Sequence, residues 1–168
     1  MAAAALLVLV GGSGCSSGTG YPVRTYRMGE RVQLGSLVYN VYDSQWHTHL
    51  GDGAGSRIPE NRFFLVRVSI TNSGTGETMV PAMSVADDAG QSIQELNNGD
   101  RVPQWIGFLR SVKPAETIQG NLVFDCSPRH YKLQLTDENG QQSAVIDIPL
   151  TFTSEMPDVP VPELPQKK

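Results

Sequence analysis

The stretch "RFFLVRVSITN", Arg62 to Asn72, decides the fold. Phe64, Val66, Val68 and Ile70 fall on one side of a pleated strand, and Arg67, Ser69 and Thr71 fall on the other. A period of two belongs to a strand with one buried and one wet face, because successive side chains point to opposite sides of the pleat. Working outward, the same period recurs. "RVQLGSLVYNVY" places Val32 and Leu34 on one face and resumes after Gly35 with Leu37, Tyr39 and Val41. "TIQGNLVFD" alternates Ile118, Gly120, Leu122 and Phe124, and "AVIDIPLTF" alternates Ile146, Ile148, Leu150 and Phe152. Turn chemistry separates these runs: "TNSGTGE", then "DDAGQ" and "DENGQ", where Gly90 and Gly140 can take positive φ. A short helical turn is expected within Asn97 to Trp105. The pattern predicts an all-β chain, an antiparallel immunoglobulin-like β-sandwich of about seven or eight strands.

The 168 residues suit one domain with tails, and a net charge of −4 offers none of the basic stripe that nucleic acid requires. No nucleic-acid partner is expected. The tails are legible too. Ala2 to Val10 form an apolar run far shorter than the about 20 residues that span a bilayer. Small residues then lead to Cys15 in "GGSGCSSGTG". Ser13 and Gly14 before the cysteine resemble a bacterial lipobox, although Gly12 stands where a leucine is usual. Residues 1–14 are therefore read as a lipoprotein signal peptide, and 15–25 as a lipidated Cys15 with a flexible tether. The sandwich occupies 26–153. Pro157, Pro160, Pro162 and Pro165 make 154–168 a Pro-rich disordered tail. With Cys15 used as an anchor, Cys126 has no partner and reads as a small buried residue. His130 is the nearest base in sequence for any thiol chemistry.

An ordered series of motifs supports a family comparison: "MGERVQLGSLVYNV", "FFLVRVSITNSG", "DDAGQ", "VKPAETIQGNLVFD" and "YKLQL". The series resembles the telokin-like, immunoglobulin-fold lipoproteins of unknown function, the 4352 family of domains of unknown function. The resemblance covers roughly Tyr26 to Leu150. It matches Gly29 and Glu30 to the entry into the first strand, and Val68 to Asn72 to a strand end. It matches Asp87 and Gly90 to a hairpin, and Pro114, Glu116 and Thr117 to a "P-G-E-T" turn. Ala115 stands where that turn carries glycine, which implies a turn without positive φ there. The resemblance implies a fold and an extracytoplasmic setting, and no catalytic residue set.

Two stretches carry candidate chemistry. In "DSQWHTHLGDG", His47 and His49 are two apart, so an extended backbone would project both imidazoles from one face. Asp52 or Asp43 would add an oxygen ligand to a Zn or Cu site; otherwise the segment is an exposed loop plugged by Trp46. In "RVPQWIGFLRSV", Trp105 and Phe108 are candidates for a partner-binding patch. No G-x-S-x-G elbow appears, and "SGTG" at Ser73 to Gly76 is a turn rather than a phosphate cradle. No cofactor is expected. The expectation is a non-catalytic, lipid-anchored, extracytoplasmic binding or structural module of the bacterial cell envelope, on the outer membrane where one exists. The alternative is a metal-binding envelope accessory protein using His47 and His49.

Overall fold

Eleven strands run through the computed structural model, which describes residues 22–151. They are β1 (Arg24–Arg27), β2 (Val32–Leu34), β3 (Leu37–His47), β4 (Phe63–Asn72), β5 (Thr78–Met79), β6 (Ser84–Ala86), β7 (Ser92–Gln94), β8 (Ser111–Val112), β9 (Thr117–Asp125), β10 (Tyr131–Thr136) and β11 (Ser143–Ile148). One sheet has the order β1-β11-β10-β6-β7, the other β2-β3-β4-β9, and β5 pairs with β8 as a short ribbon. All pairings are antiparallel except β1 with β11. The result is an all-β immunoglobulin-like sandwich.

The alternating residues form the core as expected. Val32, Leu34, Leu37, Tyr39, Val41, Val66, Val68, Ile70, Leu122 and Phe124 from one sheet meet Val85, Leu133, Leu135, Ile146 and Ile148 from the other. Each such side chain stabilises the folded state by about 1.5–3 kcal/mol on burial. An aromatic stack joins the sheets. Trp46 lies on Phe64 at 4.3 Å between ring centroids, and Tyr131 stands 5.8 Å from Phe64 across the sandwich. Tyr39 donates to the Thr136 carbonyl, and burial raises its phenol pKa.

The two Asp-to-Gly hairpins share one mechanism. The Asp87 carboxylate accepts from the Ala89 and Gln91 amides, and the Asp137 carboxylate accepts from the Gln141 and Gln142 amides. Gly90 (φ 82) and Gly140 (φ 67) then close each turn in the left-handed region.

Several expectations are corrected. The segment from Asn97 to Trp105 forms turns, not a helix; the only helical turn among the described residues is Gly53–Gly55. Arg101 (φ 59) and Gln104 (φ 47) break any helical backbone there. β1 begins at Arg24, inside the segment read as tether, because its backbone pairs with β11. β11 stops at Ile148, before Pro149, and Leu150 is 41% exposed. Phe152, the signal peptide, Cys15 and the Pro-rich tail lie outside the described residues.

Ala115 is the sharpest correction. It sits at φ 61, so the turn does require the left-handed backbone that glycine adopts without strain. A non-glycine residue there costs about 1–2 kcal/mol. Ala115→Gly is expected to raise stability by about 0.5–1 kcal/mol, the gain being reduced by glycine's greater freedom in the unfolded chain. Urea midpoints of the two proteins check this, and a lower midpoint for the variant would contradict it.

A buried ion pair clamps the ribbon to the sandwich. Arg110 donates to both Glu95 oxygens at 2.7 and 2.9 Å, with side-chain exposures of 5% and 1%. Glu95 also accepts from the Met83 amide at 2.9 Å, and Arg110 donates to the Gly107 carbonyl.

Candidate functional site

The four-stranded sheet is covered on both faces, and its outer face carries the candidate site. A β-bulge in β3 explains how. Val41 pairs with Val68, but Asp43 pairs with Arg67, so Tyr42 is one extra residue in the ladder. The insertion flips the parity of the strand. Leu37, Tyr39 and Val41 face the core before it; Ser44 and Trp46 face inward after it. Asp43, Gln45 and His47 consequently point to the outer face. Sequence reading placed Asp43 onward in an exposed loop, whereas β3 runs unbroken to His47.

Across this face the register sets side chains in rows. Asp43 lies opposite Arg67, and Arg67 opposite Asn121 on β9. Gln45 lies opposite Leu65, and Leu65 opposite Val123. Leu65 and Val123 of the second row, with Phe63, belong to a separate apolar cluster with Leu50 and Val102, against which Leu96 and Trp105 pack. Two loops, 48–62 and 96–106, therefore roof one end of the outer face. They are tied together where Arg57 stacks on the Phe63 ring at 4.9 Å and donates to the Asn98 and Asp100 carbonyls.

The second loop reaches its place by wrapping around the β9 edge. The Asn121 amide donates to the Gln104 carbonyl at 2.9 Å, the Ile106 amide donates to the Asn121 carbonyl at 3.2 Å, and Asn121 Nδ2 donates to the Pro103 carbonyl at 2.7 Å. Gly120 permits this approach: a Cβ there would lie 2.2 Å from the Gln104 carbonyl oxygen. Gly99 permits the next one, since a Cβ would lie 1.8 Å from the Trp105 indole. The wrapped segment also protects an edge strand that would otherwise offer unpaired backbone groups.

Between this roof and the polar row lies a cleft of about 230 Å³. Its lining includes Asp43, Gln45, Arg67, Gln104 and Asn121, with Leu65 and Pro103 as apolar walls and His47 at one end. Asp43 is internally satisfied: its oxygens accept from the Ser44 amide and from Gln45 Nε2, both at 2.8 Å. Arg67 is half-buried and makes no ion pair or side-chain hydrogen bond among the described residues. The Nε2 of His47 is buried without a partner among them.

The sequence-selected residues fare differently. His47 ends β3 on the outer face, while the ring of His49 meets the Thr48 hydroxyl beyond the strand. Among the described residues no group of three or more His, Cys, Asp and Glu side chains converges to hold a metal ion, so His47, His49 and Asp52 do not form the expected ligand set. The backbone turns after His47, and the extended geometry that would align the two imidazoles ends there. Trp105 packs into the outer-face cluster, Ile106 packs on the main core, Phe108 is half-buried, and Leu109 is 79% exposed. Trp105 thus anchors its loop instead of presenting a free surface.

Cys126 and His130 are not a catalytic pair. Burial pushes the Cys126 thiol up to about 11, and both ring nitrogens of His130 are occupied. His130 lies between Asp88 at 3.1 Å and Asp147 at 2.8 Å, on the outer face of the other sheet. The hydrogen bond that His130 donates to Asp88 chiefly raises the His130 pKa above 6.5, and the same bond lowers Asp88 below 3.8. The imidazolium contribution is present below about pH 6.5 and is lost as pH rises through the higher folded value. The Asp88 contribution is present above about pH 4 and is lost as pH falls through its lowered value. His130→Gln is therefore expected to lower the urea midpoint at about pH 5 and to match the wild type by about pH 8. Equal differences at both pH values would contradict the pairing.

Of the cleft, Asp43 and His47 stand out in the sequence as candidate ligands and Arg67 falls on the polar face of its strand, whereas nothing in the sequence points to Gln45, Gln104 or Asn121. The available signals were the parity change between Val41 and Trp46, and the unbroken triplet Phe63-Phe64-Leu65, which marks a strand covered on both faces.

Comparison with known proteins agrees with this architecture. The yjhA protein of Bacillus subtilis is 14% identical, with a TM-score of 0.57 over 73% of this chain and 98% of its own. The secreted protein MPT63 of Mycobacterium tuberculosis is 14% identical, with a TM-score of 0.54 over 77% of this chain and 100% of its own. A candidate lipoprotein of Bacillus subtilis, ycdA, is 14% identical, with a TM-score of 0.53; the match spans 71% of this chain and 38% of that one. Likeness at these identities concerns the fold. No curated protein matches the chain. No catalytic family is indicated. A family model described as a domain of unknown function, DUF4352, matches residues 26–144, from within β1 into β11, and the chain belongs to that family.

Proposed function

We propose that the protein is a non-catalytic, extracytoplasmic binding module of the bacterial cell envelope, held to the membrane by a lipid on Cys15. The observation that carries the binding reading is the cleft on the outer face of the four-stranded sheet. It is walled by a loop pressed against Gly120, and it contains the Arg67 guanidinium, which makes no ion pair or side-chain hydrogen bond among the described residues. Binding sites are commonly built on loops positioned by a rigid scaffold. Phe108 and Leu109, on the same segment, add apolar surface for a partner. The setting is supported by the apolar run and small residues before Cys15, and by a secreted protein and a candidate lipoprotein among the structural neighbours.

Two measurements test the reading. The full chain made in a bacterial host should partition into detergent and carry a lipid mass on Cys15; Cys15→Ser should remain aqueous. A photoreactive residue at Gln104 should cross-link an envelope partner, whereas one at Gln134, on the exposed face of the other sheet, should not. An unmodified Cys15 sinks the anchor. Equal cross-linking at both positions sinks the outer-face site.

A further inference from the structure

Resting on that binding reading, we infer that the cleft is a carboxylate-binding site built around Arg67, and that its ligand is the free C-terminal end of a peptide. Arg67 is flanked in one row by Asp43 on β3 and Asn121 on β9. Such an arrangement ordinarily yields an Asp–Arg ion pair across the strands. Here it does not: Asp43 turns its oxygens to the Ser44 amide and the Gln45 side chain. The Tyr42 bulge permits that local closure, since it frees the backbone next to Asp43 from the ladder. Arg67 is left half-buried in a cleft, with its planar fork of donors unspent among the described residues.

A guanidinium at the head of a half-buried side chain, lining a cleft and without an acceptor among the described residues, suits a planar anion that it can grip through two parallel hydrogen bonds. Asp43 selects among anions. A fixed negative charge beside Arg67 opposes a dianionic phosphate and tolerates a single charge. Its carboxylate also retains lone pairs, so it can accept an N–H from the ligand. A peptide C-terminus supplies that combination: a carboxylate for Arg67 and, one bond beyond the terminal α-carbon, a backbone N–H for Asp43. Asn121 adds to the same row its Oδ1 as an acceptor and the second Nδ2 hydrogen as a donor, the first being given to the Pro103 carbonyl. Leu65 and Pro103 provide apolar walls for a small terminal side chain, and a volume of about 230 Å³ is that of one or two residues rather than a long segment.

The test is calorimetric titration of the full chain with acetyl-trialanine as free acid and as amide, in all-L form and with two terminal D-alanines. The stereochemical arms separate a protein C-terminus from a cell-wall stem peptide. The free acid of one series should bind and the amide should bind at least about tenfold more weakly, because the amide forfeits the charge-assisted pair. Arg67→Gln should abolish binding, and Arg67→Lys should weaken it about tenfold, since an ammonium cannot form the two-pronged contact. Asp43→Asn should bind the acid but admit inorganic phosphate as a competitor, which the wild type excludes. Both Arg67 variants should stay close to the wild-type urea midpoint, because Arg67 makes no ion pair or side-chain hydrogen bond among the described residues that its loss would break. Equal binding of acid and amide, no binding of either series, or unimpaired binding by Arg67→Gln overturns the carboxylate assignment. If cross-linking from Gln104 then persists in Arg67→Gln, the binding reading survives and only the ligand class fails.

Discussion

Arg110→Met is expected to lower stability by about 3–5 kcal/mol, a shift of about 2 M in the urea midpoint. The substitution leaves the Glu95 carboxylate 1% exposed, with the Met83 amide as its remaining protein donor. A buried charge without its counter-ion bears its whole desolvation cost, whereas the intact pair offsets that cost with two hydrogen bonds. Replacing both partners, as Glu95→Leu with Arg110→Met, should cost clearly less than the two single losses added together. That non-additivity separates an ion pair from two independent packing residues. Additive losses would show that each side chain acts alone. The consequence reaches the outer face, because Arg110 closes the segment that begins with the cleft-wall residues Pro103 and Gln104.

Asn72→Ala should cost about 3 kcal/mol, the second largest effect. Asn72 is fully buried at the end of β4. Its Nδ2 donates to the Gly76 carbonyl at 2.7 Å and the Val112 carbonyl at 2.8 Å, and its Oδ1 accepts from the Gly74 amide at 2.8 Å. Its own backbone meets the Glu116 carbonyl and the Ala115 amide. One side chain therefore holds the 73–76 turn against the ribbon, and the backbone of the same residue holds the 113–116 turn. Truncation orphans the buried Val112 carbonyl and loosens two more groups, at about 1–3 kcal/mol for each that water cannot reach. Asn72→Asp tests the donor side separately, since it keeps an acceptor for Gly74 and loses both Nδ2 donations. Loss of stability in the alanine variant alone would place the effect in the Oδ1 contact. An unchanged urea midpoint for Asn72→Ala would refute the reading.

Much of the fold is written locally. Strand period and the Asp-to-Gly hairpins are each set by residues within a few positions of one another, and they are legible for that reason. The ordered motif series added the family. The cleft was less legible. Asp43 and Arg67 lie 24 positions apart, and Arg67 and Asn121 lie 54 apart, by subtraction of their numbers. No periodicity records such pairs. Ala115 shows the opposite failure: an alanine at a position that requires positive φ gives no sign of strain in the sequence, because the strain comes from the surrounding turn.

The sequence by itself determined that this chain folds as an antiparallel sandwich, where its turns fall, and which family it belongs to. These properties follow from alternation and backbone preference, which act over short spans. Tertiary structure alone decided that one residue inserted at Tyr42 turns Asp43, Gln45 and His47 outward, that Trp105 packs partly buried against the outer-face cluster, and that Arg67 has no ion pair or side-chain hydrogen bond among the described residues. Those outcomes depend on strand register and on a loop pressed against Gly120, and both are contacts between distant residues that become defined only when the sandwich closes.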